Sequence, residues 1–434
     1  MTTPETFEQA LRPHAIDREE VVRRYPGPSG LVRRILGVVP HAVSYFEIWP
    51  PALVTYNLAV PALLDVPKCD LGMGISPDLR ALVAHAASRS FGCRYCTAHT
   101  AIMGTVVRGS VRSPQISSRV FGVRDLDSLG TSARIAVEYA LSIGDVPSRL
   151  TAAQRDQLKK AFRPSHVEAI VLVASVMGYL NRYMDALGTV LESAVLKSVE
   201  APLGEAEWDP GKHFDKALSE SDERVARPSR LGLLKEIPNA VGYESKALAE
   251  VPADRREQAE RVRDAIGFVP YYFETISRDS ARRVFAHFWL ERLSTAGVDV
   301  SAGDKLVVAW IGAKAARNDL LAAHFALAAR RAGVSIDALA AATRPPSDPG
   351  ASKRDAMLGL AHATAGAAAT IPTQVIAAMT AHHSPASIIE LLLVSSVSLA
   401  LHRYTASLPP EAAEPEIAAF LATHRAALQI DGET

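Results

Sequence analysis

Cysteine is nearly missing from this chain, with three in 434 residues. So few thiols cannot build a disulfide framework, and in a reducing compartment a close pair of them points to catalysis or metal binding. An excess of one charge is missing too: 47 basic residues face 47 acidic ones. That balance leaves no basic stripe for nucleic acid and no acidic tail, so no partner is expected to be recognised by bulk charge. The longest apolar runs, such as 170–177 and 391–401, are too short to span a bilayer. Residues 1–20 lack the charged start and apolar stretch of a secretory signal. The expectation is a cytoplasmic protein with no membrane and no nucleic-acid partner. A glycine-rich phosphate loop is also missing, as is a lysine in a nucleotide motif, so no organic cofactor is implied.

Strand-like alternation is scarce. Apolar residues recur instead at three- and four-residue spacing, as in Ile135, Val137, Tyr139, Ala140 and Leu141. The fold class expected is all-α. The length suggests two domains of about 200 residues each. Residues 1–30 read as polar and irregular, with helices beginning at Gly30. Ser76-Pro77-Asp78 reads as a helix start, and Thr151 as another N-cap. Residues 65–78, around Cys69, and 108–130, with Pro114, read as loops. A long buried helix is expected over 165–191. Residues 201–231, punctuated by Pro202, Pro210 and Pro228, read as a connection packed through Trp208.

The chain also repeats itself. Gly37-Val38-Val39-Pro40 returns as Gly267-Phe268-Val269-Pro270, an offset of 230. Residues 81–99 return as 306–324 at 225, and 133–140 as 356–363 at 223. Asn181-Arg182-Tyr183 returns as His402-Arg403-Tyr404 at 221. This predicts one domain over 1–200, the connection over 201–231 and a second, degenerate domain over 232–434. In the second copy His324 falls on His99, but Asn318 and Leu321 fall on Cys93 and Cys96. That copy cannot do thiol chemistry.

What the chain does have is Gly92-Cys93-Arg94-Tyr95-Cys96-Thr97-Ala98-His99. Two cysteines three apart on a helix have Cα atoms roughly 5 Å apart, inside disulfide range. His99 sits one turn beyond Cys96 on the same side. If Gly92 breaks the preceding helix, both thiols lie in a first turn, where the helix dipole and Arg94 favour thiolate. Three readings stay open: a redox pair, two small buried residues, or a zinc site. The zinc site would use Cys93, Cys96 and His99, with His85 or Cys69 as a fourth ligand. His85 stands at helical multiples before both cysteines. Tyr95, Glu168 and Arg182 are candidates for a substrate pocket. Glu168 reads alternatively as a complement to its own helix dipole, Arg182 as an interhelix anchor, and His324 as structural.

The motif Cys93-Arg94-Tyr95-Cys96-Thr97-Ala98-His99, preceded by Ser88-Arg89-Ser90-Phe91-Gly92, resembles the alkylhydroperoxidase AhpD-like family, which includes the carboxymuconolactone decarboxylases. Residues 168–187, with Tyr179-Leu180-Asn181-Arg182-Tyr183, are similar to the helix that follows the motif in many members. The resemblance implies tandem all-α domains packed as a pseudo-symmetric pair, and a possible homo-oligomer. It implies a peroxidase with Cys96 as the peroxidatic thiol, Cys93 as the resolving thiol and His99 as the base. The substrate would be a small hydroperoxide or other organic molecule, and an external dithiol would be the reductant. The chain departs from the family where an upstream glutamate joins the relay: Ala81 stands there, and His85 is the nearest ionisable residue. The decarboxylase branch works without this cysteine pair, so the pair argues against that reaction. A lyase on the same fold, using His99, His85 and a carboxylate, is the alternative enzyme. A redox-sensing scaffold is the alternative outside enzymes.

Overall fold

A computed structural model of the chain describes residues 4–66, 72–107, 126, 129–204, 208–216, 230–368 and 370–430. Cys69 and most of 108–130 lie outside these, so the expectations placed there have no structural counterpart. The described residues form helices joined by turns and irregular segments and contain no strand. The all-α expectation holds.

Local chemistry explains most helix ends. Ser76 caps Pro77–Phe91 by accepting from the Leu79 N–H at 3.1 Å, with Pro77 in the first turn, as its sequence predicts. Thr151 and Gln154 form a reciprocal capping box at the start of Ala152–Ala161. Gly92 ends Pro77–Phe91 in the left-handed region, at φ +89°. The next helix, Arg94–Val107, starts at once and carries the cysteine motif. Irregularity at the N-terminus is overturned: Phe7–Leu11, Arg18–Arg24 and Pro26–Leu36 are helices. Asp17 caps the second with two backbone hydrogen bonds, a signal that outweighs the polar composition of the segment. The long helix runs over Pro164–Leu187, four residues shorter at its end than expected, because Gly188 turns left-handed at φ +74°.

The core centres on two long helices, Pro164–Leu187 and Pro385–Ser407, packed on each other. Each is apolar on nearly every side, which suits a helix with neighbours all round. Pro385–Ser407 is long and apolar enough to cross a membrane, and 89% of its most apolar window is buried inside the protein. Around this pair, Pro77–Phe91 packs on Arg94–Val107, Thr131–Gly144 and Pro164–Leu187. Ala302–Ala315 packs likewise on Asp319–Arg331, Lys353–Ala365 and Pro385–Ser407.

Two buried arginines cross between these groups. Arg182 donates to the carbonyls of Ala365 (2.6 Å), Gly366 (3.2 Å) and Ser395 (3.4 Å). Arg403 donates to those of Gly144 (2.9 Å) and Ala174 (3.1 Å). Each guanidinium thus satisfies carbonyls that helix packing has shielded from water. Arg182 is therefore an anchor between helices and not part of a substrate pocket.

Candidate active site at the cysteine pair

The motif helix begins where the sequence places it. Cys93 stands just before Arg94, and its sulfur accepts from the Cys96 backbone N–H at 3.3 Å. Cys93 thus acts as the N-cap, and Cys96 lies in the first turn. Both thiols are free and buried. The expected effect of that position on Cys96 does not prevail. Burial, followed by the hydrogen bond with Cys93, pushes its thiol well above the ordinary value. Arg94 does not counter this, because its side chain turns outward to Asp209. The cation that favours thiolate at Cys96 is Arg403, from the other long helix.

Cys96 forms part of the wall of a cavity of about 50 Å³. Val32, Val60, Leu64, Met103, Met177 and Met184 are among its apolar lining. Its polar edges come from Tyr56, Tyr95, His99 and Thr100. Tyr95 and His99 are thus where a substrate pocket needs them. Cys93 is not among the lining residues and stands near Asp185 and His213.

His99 is fixed by two oxygens. Its Nδ1 lies 3.1 Å from the Tyr95 carbonyl, and its Nε2 lies 2.9 Å from Oε2 of Glu192. Both ring nitrogens therefore face oxygens. Glu192 also accepts from the Tyr95 hydroxyl at 2.9 Å and from the His41 backbone N–H. Burial alone would raise this carboxyl, but the charge and hydrogen bond of His99, followed by those of His41, bring it down to about 2.

His85 reaches the site one step back. Its Nδ1 lies 3.2 Å from the Thr100 hydroxyl, which donates to the Cys96 carbonyl at 2.7 Å. That hydroxyl's proton is committed, so Nδ1 of His85 is the donor. Glu168 is not in the pocket. It accepts from the backbone N–H groups of Ser277 (2.9 Å) and Arg278 (3.2 Å) and from the Ser277 hydroxyl, pinning the chain before Asp279–His287. Its position near a helix start is a packing role in another part of the core.

On the other side of Cys93 stands a group the sequence did not suggest. Its sulfur, a carboxylate oxygen of Asp185 and a ring nitrogen of His213 lie within 4.8 Å of one another, all buried. His213 comes from a short 3-10 turn, Gly211–His213, inside the segment read as a connection. That segment is therefore more than a linker, and Trp208 within it packs on the core as expected. Asp185 ends the long helix, and its Oδ1 lies 3.0 Å from the Lys212 ammonium and 3.6 Å from His213 Nε2. The zinc set of Cys93, Cys96 and His99 does not converge among the described residues. Cys93, Asp185 and His213 do converge, but the Lys212 ammonium already occupies the carboxylate and would repel a metal cation.

No family model matches the chain, and no curated protein matches it. Two solved structures of the debrominase Bmp8 resemble it in fold. The apo form is 20% identical, at a TM-score of 0.38, over 44% of this chain and 96% of its own. A cysteine-to-alanine variant in complex with 2,3,4-tribromopyrrole is 21% identical, at 0.39, over 48% of this chain and 98% of its own. The debrominase is an enzyme, and a likeness this slight carries nothing of its activity to this chain.

Proposed function

We propose that this protein is an AhpD-like, thiol-dependent oxidoreductase in which Cys96 and Cys93 cycle between dithiol and disulfide. The observation that carries the reading is the asymmetric placing of the pair. Cys96 faces an apolar cavity, and Cys93 stands directly behind it, its sulfur against the Cys96 N–H. A substrate in that cavity meets one thiol, and the second is in place to resolve whatever forms on the first. The lining favours a small molecule with an apolar body, and an organic hydroperoxide fits this description. Cys96 attacks the terminal oxygen and becomes a sulfenic acid. Cys93 then displaces water from it, and an external dithiol restores both thiols.

The test is a free-thiol count before and after a stoichiometric pulse of tert-butyl hydroperoxide, with metal analysis on the same sample. Two of the three thiols should disappear and return with dithiothreitol, in protein free of zinc. Three unreactive thiols, or one equivalent of bound zinc, would overturn the reading.

A further inference from the structure

We infer that His213, oriented by Asp185 and by the Thr189 carbonyl, is the base of the thiol pair and acts on Cys93, whereas His99 is not that base. The inference rests on the redox reading of the pair, but it concerns a residue and a path which that reading leaves open.

Hydrogen bonding fixes the tautomer of His213. Its Nδ1 lies 2.7 Å from the Thr189 carbonyl, which can only accept, so Nδ1 carries the proton. The lone pair of the neutral ring is then on Nε2. That nitrogen lies 3.6 Å from Asp185, and a ring nitrogen of His213 lies within 4.8 Å of the Cys93 sulfur. The arrangement brings together a nucleophile, an imidazole and a carboxylate that orients the ring. His99 is arranged the opposite way. Both of its nitrogens face oxygens, and Nε2 meets a carboxylate lowered to about 2.

Several of the described residues face His213. From the motif helix come Cys93 and Tyr95, whose ring centre lies 5.8 Å from that of His213. From the long helix comes Asp185, and beside His213 is Lys212. Arg403 acts on the two sulfurs from the far side.

The proton path then balances. His213 takes the Cys93 proton, giving imidazolium and thiolate. Cys96 passes its own proton to Cys93 across their hydrogen bond and attacks the terminal oxygen of the hydroperoxide. The O–O bond breaks, an S–O bond forms, and the alkoxide leaves with the proton from Cys93. The Cys93 thiolate then attacks the Cys96 sulfur. The S–O bond breaks, the disulfide forms, and the departing hydroxide takes the His213 proton as water. The sum is two thiols and one hydroperoxide giving one disulfide, one alcohol and one water. An external dithiol completes the cycle.

The experiment follows thiolate absorbance near 240 nm against pH in the full-length protein and in His213→Gln, Asp185→Asn and His99→Gln. The midpoint should rise by about one pH unit or more in His213→Gln and by less in Asp185→Asn. It should stay within a few tenths in His99→Gln. An unmoved midpoint in folded His213→Gln, or a larger rise in His99→Gln, overturns the inference. Should the variants not fold, ring-nitrogen NMR of the wild-type protein and of Cys93→Ser decides. His213 should be an imidazolium at neutral pH with Cys93 present and a neutral ring without it; the same charge state in both overturns the proposal. Because neither measurement uses a peroxide, failure of peroxide to oxidise the pair would remove the hydroperoxidase reading and leave this inference standing.

Discussion

The two halves of the chain keep the same scaffold around their motif positions and differ in what they put on it. Glu414 lies 222 residues after Glu192, and its Oε2 is 3.0 Å from Nε2 of His324. It accepts from the backbone N–H of Tyr271, as Glu192 does from that of His41. Asn318, standing where Cys93 would, accepts from the Leu321 N–H at 3.0 Å and caps its helix as the Cys93 sulfur does. What disappears is the chemistry. Leu321 replaces Cys96, Phe325 stands in the place of Thr100, and Ala406 in the place of Asp185. Phe325 packs at 5.4 Å against Trp289, and His324 at 4.9 Å against Phe268. Aromatic rings fill the region around His324, whereas a cavity lies beside His99. A histidine–glutamate pair present at both positions, with thiols at only one, serves the fold; on the proposed function, only residues confined to the first half need serve the reaction.

The largest expected effect separates the halves outright. Cys96→Ser should remove hydroperoxide turnover entirely, a loss of at least about a thousandfold for a vanished nucleophile. Cys93→Ser should consume one equivalent of peroxide more slowly, because Cys96 has lost the thiolate that takes its proton, and then stop at the sulfenic acid, which dimedone labels. Mass spectrometry of the labelled protein checks both. Turnover surviving in Cys96→Ser would end the first half's claim to thiol chemistry and favour the acid–base lyase.

The shared pair gives a pH test of its structural role. The Glu192 carboxyl is lowered from 4.5 to about 2, so its contribution to stability is fully present above pH 4.5. It is lost as the pH falls toward 2, because the folded form then gives up its advantage in holding the carboxylate. The displacement corresponds to roughly 3 kcal/mol. Glu414 is lowered as well: its own burial opposes the shift, and the hydrogen bond and charge of His324 overcome it. Urea unfolding between pH 5 and pH 2.5 should show a steep loss in the wild-type protein and a flatter one in Glu192→Gln, with Glu414→Gln flattened in the same sense. A Glu192→Gln curve parallel to the wild type would remove the ion pair from the stability of the fold.

Local features were the legible ones. The placing of Cys93 at the N-cap and Cys96 in the first turn follows from Gly92 and from spacing alone. The second-half echoes were visible because 37–40 and 267–270 carry the same turn, with Gly37 at φ +78° and Gly267 at φ +94°. The partners of the thiols were not legible, because they come from far along the chain. Glu192 lies just past the long helix, and only its match with Glu414, continuing the run of offsets, could have signalled it. Asp185 was hidden inside an apolar helix, and His213 in a polar, proline-marked stretch that carries no periodicity. Glu168 misled for the opposite reason: an acid at the start of the long helix looks suited to a pocket, and its side chain instead answers the backbone of Ser277 and Arg278.

A smaller effect tests the exchanged cap. Asn318 also donates to the Thr405 hydroxyl at 2.7 Å and contacts His402 at 3.1 Å. Asn318→Ala should therefore cost about 1–2 kcal/mol in thermal or urea unfolding. Thiol oxidation in the other half should proceed at the wild-type rate. A change in that rate would mean that the second half does more than hold its partner.

The smallest effect concerns the residue before that cap. Gly92 and Arg317 are corresponding positions at the 225 offset, and both take up left-handed backbone, at φ +89° and φ +53°. Glycine does so without steric cost, whereas an arginine Cβ meets the neighbouring carbonyl. The Arg317 side chain is exposed, so replacing it removes little packing. Arg317→Gly should therefore stabilise the protein by about 0.5–1 kcal/mol, the relief of strain exceeding the extra freedom glycine gives the unfolded chain. The reverse change in the first half, Gly92→Ala, should destabilise, because its Cβ would also come within 3.2 Å of the Ala368 methyl. Chemical denaturation of the two variants, in opposite directions from the wild type, is the expected result. Loss of stability in both would mean that the Arg317 side chain holds the turn through contacts of its own, and that the second half has made the same turn by a different route.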